Sequence, residues 1–528
     1  MSIEATPEQQ GDLDAADTGD GEKISQATAL VNFISARAEI FHDANGDVYA
    51  RIMEGGEVRR IDTRGFRDWM LAGFYTTEGK SARDQSVREA IATLSGIGRF
   101  QGKQHEVYIR VALHEGAYYV DLGEAGQNRA IRITSGAWEI VTNPPVMFVR
   151  PDSMRPLPAP VSGGDIDQLF KYANVPADHR LLLITLLIDS LRPDTPHPVL
   201  ELIGEAGSAK SFTQKVLRRL IDPNGCEQRA QPKCVEDIFV GAAGNHILAL
   251  ENVSHLLPAM QDALCVLATG GGFARRKLYT DSDESVIVVK RPVTINGIGV
   301  SVTAQDLVDR TISMELPLIA DRVEVNVLLD AFDRDHPVIL GALLEIFAKA
   351  LARLPNVHLA ADQRPRLIEF SKLGFAVAEV MGKPGTAFLS EFNASRSDAI
   401  HRTLDASPAA AALVEMFDSG GRKQIELPLK ALLNRLDGFR PTGAESWPRS
   451  ARGLGDVLRR AAPALRQIGI DVRRVGKSVG NIVWKISSRG NQPGQSPQHP
   501  QHPHAEVDLG TSGTLGTSPE PISSEVEL

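Results

Sequence analysis

Cysteine is scarce in this sequence. Cys226, Cys234 and Cys265 are the three among 528 residues, and they show no metal-ligand spacing and suggest no disulfide framework. Long apolar runs are missing too: no stretch approaches the ~18 uninterrupted apolar residues of a membrane span. The opening segment, MSIEATPEQQGDLDAADTGDGEK, is acidic and lacks the apolar centre of a secretory signal, so a cytoplasmic protein with no membrane partner is expected. Hydrophobic residues at 42% and charged residues at 23% give an ordinary soluble composition. The length allows roughly three or four domains.

Net charge is −9, but the average conceals a split. Residues 1–25 hold seven acids against Lys23, and the segment from Asn491 onward holds five acids with no Lys or Arg. Between them, residues 421–490 hold fifteen Lys or Arg against five acids. A basic module inside an acidic chain points to nucleic acid.

The stretch Pro198 to Ile221 carries the main motif. Val199, Leu200, Leu202 and Ile203 read as a buried strand, and Phe212, Val216, Leu217 and Leu220 mark one face of a helix. Between them lies Gly204-Glu205-Ala206-Gly207-Ser208-Ala209-Lys210-Ser211. Strand, glycine-rich loop and helix are the context of a phosphate-binding P-loop, where backbone N–H groups and the helix dipole favour a polyphosphate. Lys210 would reach the phosphates and the Ser211 hydroxyl would bind Mg²⁺. Ala209 stands where glycine is usual; a methyl is tolerated there if the local φ is negative. The plain alternative is a glycine turn before a helix.

Downstream, Asn245 to Asn252 reads as a second buried strand ending in Glu251, the acid that would hold the Mg²⁺ water shell. Asn252 follows where many ATPases carry a water-activating glutamate, so ATP binding is better supported than fast hydrolysis. Leu267 to Val289 suggests a hairpin with an acidic turn at Thr280 to Glu284. Its first arm bears Arg275, Arg276 and Lys277, which suit phosphate contacts, with an interface between subunits as the alternative. A third strand, Arg291 to Gly297, puts Asn296 near a γ-phosphate, and Arg310, before the strand Ser313 to Leu316, is a candidate arginine finger or a partner of Asp309.

The set GEAGSAKS, LALENVS, LATGGGFARRKLYTD and VTINGI resembles the AAA+ ATPases. Within them it is most similar to superfamily 3 helicases and the primase-helicase replication proteins of phages, plasmids and integrated elements. The resemblance implies a homo-oligomeric ring, usually a hexamer, with the hairpin facing single-stranded DNA in its channel.

The expected fold is multidomain α/β. It has an acidic disordered N-terminus over 1–25, an α+β domain over 26–150, a Pro/Gly linker over 151–164 and an AAA+ P-loop core over 165–320. A helical lid over 321–405, a winged-helix-like domain over 406–488 and a disordered tail over 489–528 complete it. Strands are expected at Asp47 to Arg51, Val107 to Val111 and Ala117 to Asp121 in the α+β domain, and helices at Phe66 to Phe74 and Ser86 to Leu94. Trp69, Tyr75, Arg110 and Trp138 there are expected to pack in the core, with contact to DNA as the alternative. Helices are expected at Val338 to Leu351 and Arg364 to Val380 in the lid. Three helices and a hairpin over Asp471 to Ile486 make up the C-terminal module, where Arg459, Arg460, Arg473, Arg474 and Lys477 would contact duplex phosphates.

The function expected is an ATP- and Mg²⁺-dependent DNA helicase or remodelling ATPase in replication of a mobile element. Lys210, Glu251, Asn296 and Arg310 would be catalytic, and Ser211 and Glu251 would hold the metal. The alternative is an ATP-gated DNA-binding regulator or loader with little hydrolysis.

Overall fold

The computed structural model describes residues 24–276, 284–299, 301–360, 366–419, 424–441, 446–478 and 481–488. The acidic segment 1–23, the tail 489–528, Lys277 and residues 280–283 of the expected hairpin turn lie outside the described residues.

The N-terminal part starts with α1 (Gln26–Ser35), whose first turn is capped by the Ser25 hydroxyl accepting from the Thr28 N–H. A meander of β1 (Ala38–His42), β2 (Val48–Ile52) and β3 (Val58–Arg60) follows, then α2 (Arg64–Glu78) and α3 (Asp84–Phe100). Leu30, Ile34, Phe66, Met70 and Leu94 form their small core. The chain continues through β4 (Val107–Tyr108), β5 (Val111–His114), β6 (Ala117–Asp121), β7 (Arg129–Thr134), β8 (Ala137–Thr142) and β9 (Met147–Phe148). β5 to β8 form an antiparallel sheet, and β4 pairs in parallel with β9. The single strand expected over 107–111 is two strands, because Arg110 has a φ of 63° and turns the chain between them.

Residues 151–164 do not behave as a free linker. The Leu157 N–H donates to Leu122 O at 2.8 Å, and that of Val161 donates to Pro337 O at 2.9 Å. Gly341 permits the second contact: a Cβ there would sit 1.8 Å from Val161 O.

α4 (Arg180–Asp189) is apolar on all sides except Thr185 and its ends, and is buried from Leu181 onward, as a helix with no polar face must be. A five-stranded, all-parallel sheet lies at the centre. In chain order it comprises β10 (Val199–Ile203), then α5 (Lys210–Ile221), β11 (Arg229–Ala230), α6 (Val235–Ala243), β12 (Leu248–Glu251) and α7 (Pro258–Thr269). The hairpin β13 (Gly271–Arg276) and β14 (Glu284–Val289) follows as a separate antiparallel pair, and β15 (Val293–Asn296), α8 (Gln305–Val308) and β16 (Thr311–Glu315) complete the run. Spatial order is β11-β12-β15-β10-β16. The strand carrying the glycine-rich loop is therefore flanked on both sides and buried at every position.

α9 (Val325–Arg353) is one helix of 29 residues. It begins thirteen residues before the expected Val338 and runs through Pro337, whose carbonyl receives Val161. α10 (Ile368–Val380) packs beside it and α11 (Gly385–Asp405) packs on α10, with Phe370, Phe388 and Phe392 at ring separations of 5.5–5.9 Å. The C-terminal module runs α12 (Pro408–Ser419), β17 (Gln424–Pro428), α13 (Leu429–Leu436), α14 (Ala451–Gln467), β18 (Ile470–Ser478) and β19 (Asn481–Ser488). Its sheet has the order β17-β19-β18. Among the described residues no helix is long and apolar enough to cross a membrane.

Candidate active site

A parallel sheet presents its loops at the carboxyl ends of its strands, and there a cleft of about 830 Å³ opens. Gly207, Ala209, Lys210, Ser211, Gln228 and Glu251 line it on one side, and Phe170, Val323, Val325 and Leu328 on another. The size lies within the roughly 300–1,000 Å³ of pockets that take small ligands and cofactors.

The loop geometry demands glycine at Gly204. Its φ is 146°, and a Cβ there would meet Ser208 Oγ at 2.8 Å and Leu316 O at 2.9 Å. Ala209 has φ 55° and ψ 31°. The condition of a negative φ is therefore not met, and the methyl sits in the left-handed region at a cost of roughly 1 kcal/mol. No side chain caps α5, so its amino-terminal N–H groups face the loop. Lys210 Nζ donates to Gly204 O at 2.8 Å and to Glu205 O at 2.7 Å. Burial pulls its pKa below the ordinary lysine value. Two loop carbonyls thus hold the ammonium inside the curve of the loop, with Ser208 Oγ at 3.4 Å.

Glu251 is half-buried and shares this cleft with Ser211. Asn296 does not reach it. It is 1% exposed, its Oδ1 accepts from the Asn252 N–H at 2.9 Å, and its Nδ2 donates to Gln214 Oε1 at 2.6 Å. Asn252 takes a φ of 54°, which an Asn tolerates. The expected water-orienting amide is therefore a brace behind the cleft. Arg310 lies at the other end of the sheet, where its carbonyl accepts from the Val199 N–H. Its guanidinium pairs with Asp306 at 2.7 Å, and Asp306 also pairs with Arg366 at 2.6 Å. Asp309 instead accepts from Gln467 of α14 at 3.2 Å.

Arg275 and Arg276 fall in β13, which pairs with β14, and Phe273 stacks on Phe239 at 5.0 Å. Arg459 and Arg460 are exposed on α14, with Arg459 paired to Asp456 at 2.9 Å. Arg473 and Arg474 are exposed on β18, with Arg473 paired to Asp471 at 2.6 Å, and Lys477 stands in the same strand opposite Ile482.

Residues 166–400 match the family model described as the actinomycete integrative conjugative element replication protein, and residues 409–499 match the AICE RepA C-terminal domain. Together the two models span more than half of the chain. The chain belongs to this RepA family of mobile-element replication proteins. No curated protein matches it. Among solved structures, the SCCmec type IV Cch helicase is 10% identical with a TM-score of 0.46, over 86% of this chain and 94% of that one. The C-terminal region of NrS-1 is 12% identical with a TM-score of 0.40, over 87% and 99%. Likeness at this level carries no argument about activity.

Three residues of this RepA-family site escape sequence reading. Asn174 clamps the loop from outside, its Nδ2 donating to Ser208 O at 3.0 Å and Pro317 O at 2.7 Å. Gln214 donates to Leu250 O and to Thr294 Oγ1, each at 3.1 Å, and so ties α5 to β12 and β15. Arg322 stands against Gly207, where any Cβ would meet its guanidinium at 3.1 Å. None belongs to a local motif. Polar residues flanking apolar runs were the sole signal for them.

Proposed function

We propose that this replication protein is an ATP- and Mg²⁺-dependent DNA helicase or DNA-remodelling ATPase, acting in the cytoplasm on the DNA of its element. One observation carries the reading: a fully buried parallel strand delivers a glycine-rich loop and Lys210 to an uncapped helix start, with Ser211 and Glu251 on the same cleft. The donor set fits the metal. The Ser211 hydroxyl and the Glu251 carboxylate on one cleft are oxygen donors of the kind a hard cation takes while keeping most of its water. Mg²⁺ there would neutralise developing phosphate charge, with Lys210 orienting the phosphates.

The order helix, strand, helix, helix, hairpin in residues 408–488, with sheet order β17-β19-β18, supports a winged helix whose exposed arginines meet duplex DNA. The position of Arg310, at the end of the sheet away from the cleft, supports service to a neighbouring subunit in a ring, with the β13–β14 hairpin toward its channel. α9 to α11 would form the lid over the core.

A second reading has specific support. The left-handed Ala209 and the absence of a carboxylate at position 252 favour an ATP-gated binder that turns over slowly. ATP hydrolysis with and without single-stranded DNA decides between them, beside Lys210→Ala. Stimulation that the variant loses supports the motor. Binding without turnover supports the gated binder, and turnover unchanged in Lys210→Ala refutes the site.

A further inference from the structure

Gln228 is a side chain of this cleft with no assigned work. It enters β11 from the loop after α5, and its amide nitrogen donates to Ser211 O at 2.9 Å and to Gln214 Oε1 at 2.8 Å. Both amide protons are thereby spent, so the carbonyl end of the amide is the end left over. Gln214 is itself pinned by Leu250 O, Thr294 and Asn296, so the orientation of the Gln228 amide is fixed from behind. Its Oε1 accepts from no described residue, is not among the enclosed unpartnered atoms, and belongs to a residue lining the cleft with Ser211 and Glu251. Position 252, where an acid would add a second acceptor, holds an asparagine whose N–H is committed to Asn296.

We propose that Gln228 is a positioning residue for the metal-bound nucleotide: its amide oxygen accepts a hydrogen bond from a water of the Mg²⁺ shell held by Ser211 and Glu251. This rests on the ATP·Mg²⁺ reading above. A neutral oxygen orients such a water without adding charge, and it is pre-set because its own nitrogen is locked to the helix that carries Ser211.

The test is calorimetric titration of the full chain with ATP, once with Mg²⁺ and once with EDTA. In Gln228→Leu the metal-free affinity should stay within about twofold of the parent, while the gain conferred by Mg²⁺ falls about tenfold, the worth of one hydrogen bond to a charged centre. In Gln228→Asn, which keeps the amide but withdraws it by one methylene, the gain should fall several-fold in the same way; this arm stands if the leucine variant fails to fold. An unchanged Mg²⁺ gain in both variants overturns the proposal. So does an equal fall with and without metal, which marks Gln228 as a strut alone. A parent protein that binds ATP in neither buffer removes the nucleotide reading itself, a result distinguishable from either.

Discussion

Arg110 and Asp222, 112 residues apart, form an ion pair of 3.2 Å in which neither side chain exceeds 2% exposure. Arg110 also donates to Asp121 O, Arg155 O and Pro223 O. The guanidinium thus joins the N-terminal sheet, the 151–164 strap and the end of α5. Burial would raise the Asp222 carboxyl, but Arg110, His246 and Arg218 hold it below the usual value. Removing the Arg110 cation leaves the buried Asp222 carboxylate with only the more distant Arg218, at 3.8 Å, against it at the foot of the helix that starts with Lys210. Arg110→Met should cost roughly 3–5 kcal/mol in urea unfolding. Adding Asp222→Asn should recover part of it. A loss near zero for the single variant would show the pair to be dispensable.

Two buried histidines set the acid limit of the fold. Burial pulls His246 down to about 3 and His336 down to about 4, both from an ordinary value near 6.5. Each folded pKa is depressed, so the unfolded chain takes up a proton first as pH falls. The stability is complete above about pH 6.5 and is lost from there down to about pH 4 for His336 and about pH 3 for His246, at roughly 1.4 kcal/mol per pH unit for each. Unfolding midpoints measured from pH 7 to 4.5 should fall steeply, and His336→Gln should flatten the slope by about one proton. A slope that the variant leaves untouched would assign acid sensitivity to other groups.

The central motif was legible because its signals are local: four apolar residues, a run of small ones, then a helical face. The C-terminal helices and hairpin were legible for the same reason, while β17 escaped because a five-residue segment ending in Pro428 has little period to read. The helix expected from Val338 begins earlier, and α9 passes through Pro337 because its packing on α10 outweighs the one i→i−4 bond that the proline removes. Trp69 and Trp138 pack as expected against the cores, whereas Tyr75, 59% exposed, does not. Long-range roles such as those of Arg110, Asn174 and Gln214 have no periodic signature. Their identity is visible in the sequence, but their partners are not.

Ala209 offers a direct test of loop strain. At φ 55°, a methyl costs what a glycine would not. Ala209→Gly should relieve roughly 1 kcal/mol of local strain, raise the thermal midpoint slightly and leave ATP affinity equal or higher. Ala209→Val, β-branched in the left-handed region, should lower both. If the glycine variant is less stable than the parent, flexibility gained by the unfolded loop outweighs the relief of strain.

Arg459 and Arg460 supply the sharpest test of the duplex-binding face. They are adjacent on α14 and exposed, and among the described residues Arg459 alone of the two pairs with a carboxylate, Asp456. If both contact phosphates, each releases a counterion, so log affinity against log salt for duplex DNA should lose about 0.9 in slope per residue removed. Arg459→Ala with Arg460→Ala should therefore flatten the slope by about 1.8, measured by fluorescence anisotropy. Binding should weaken to a similar degree across unrelated sequences, because phosphate contacts position without specifying. ATP binding should be unaffected, since neither residue lines the cleft. An unchanged slope would move duplex contact off α14 and leave the exposed β18 arginines, Arg473 and Arg474, as the next pair to remove.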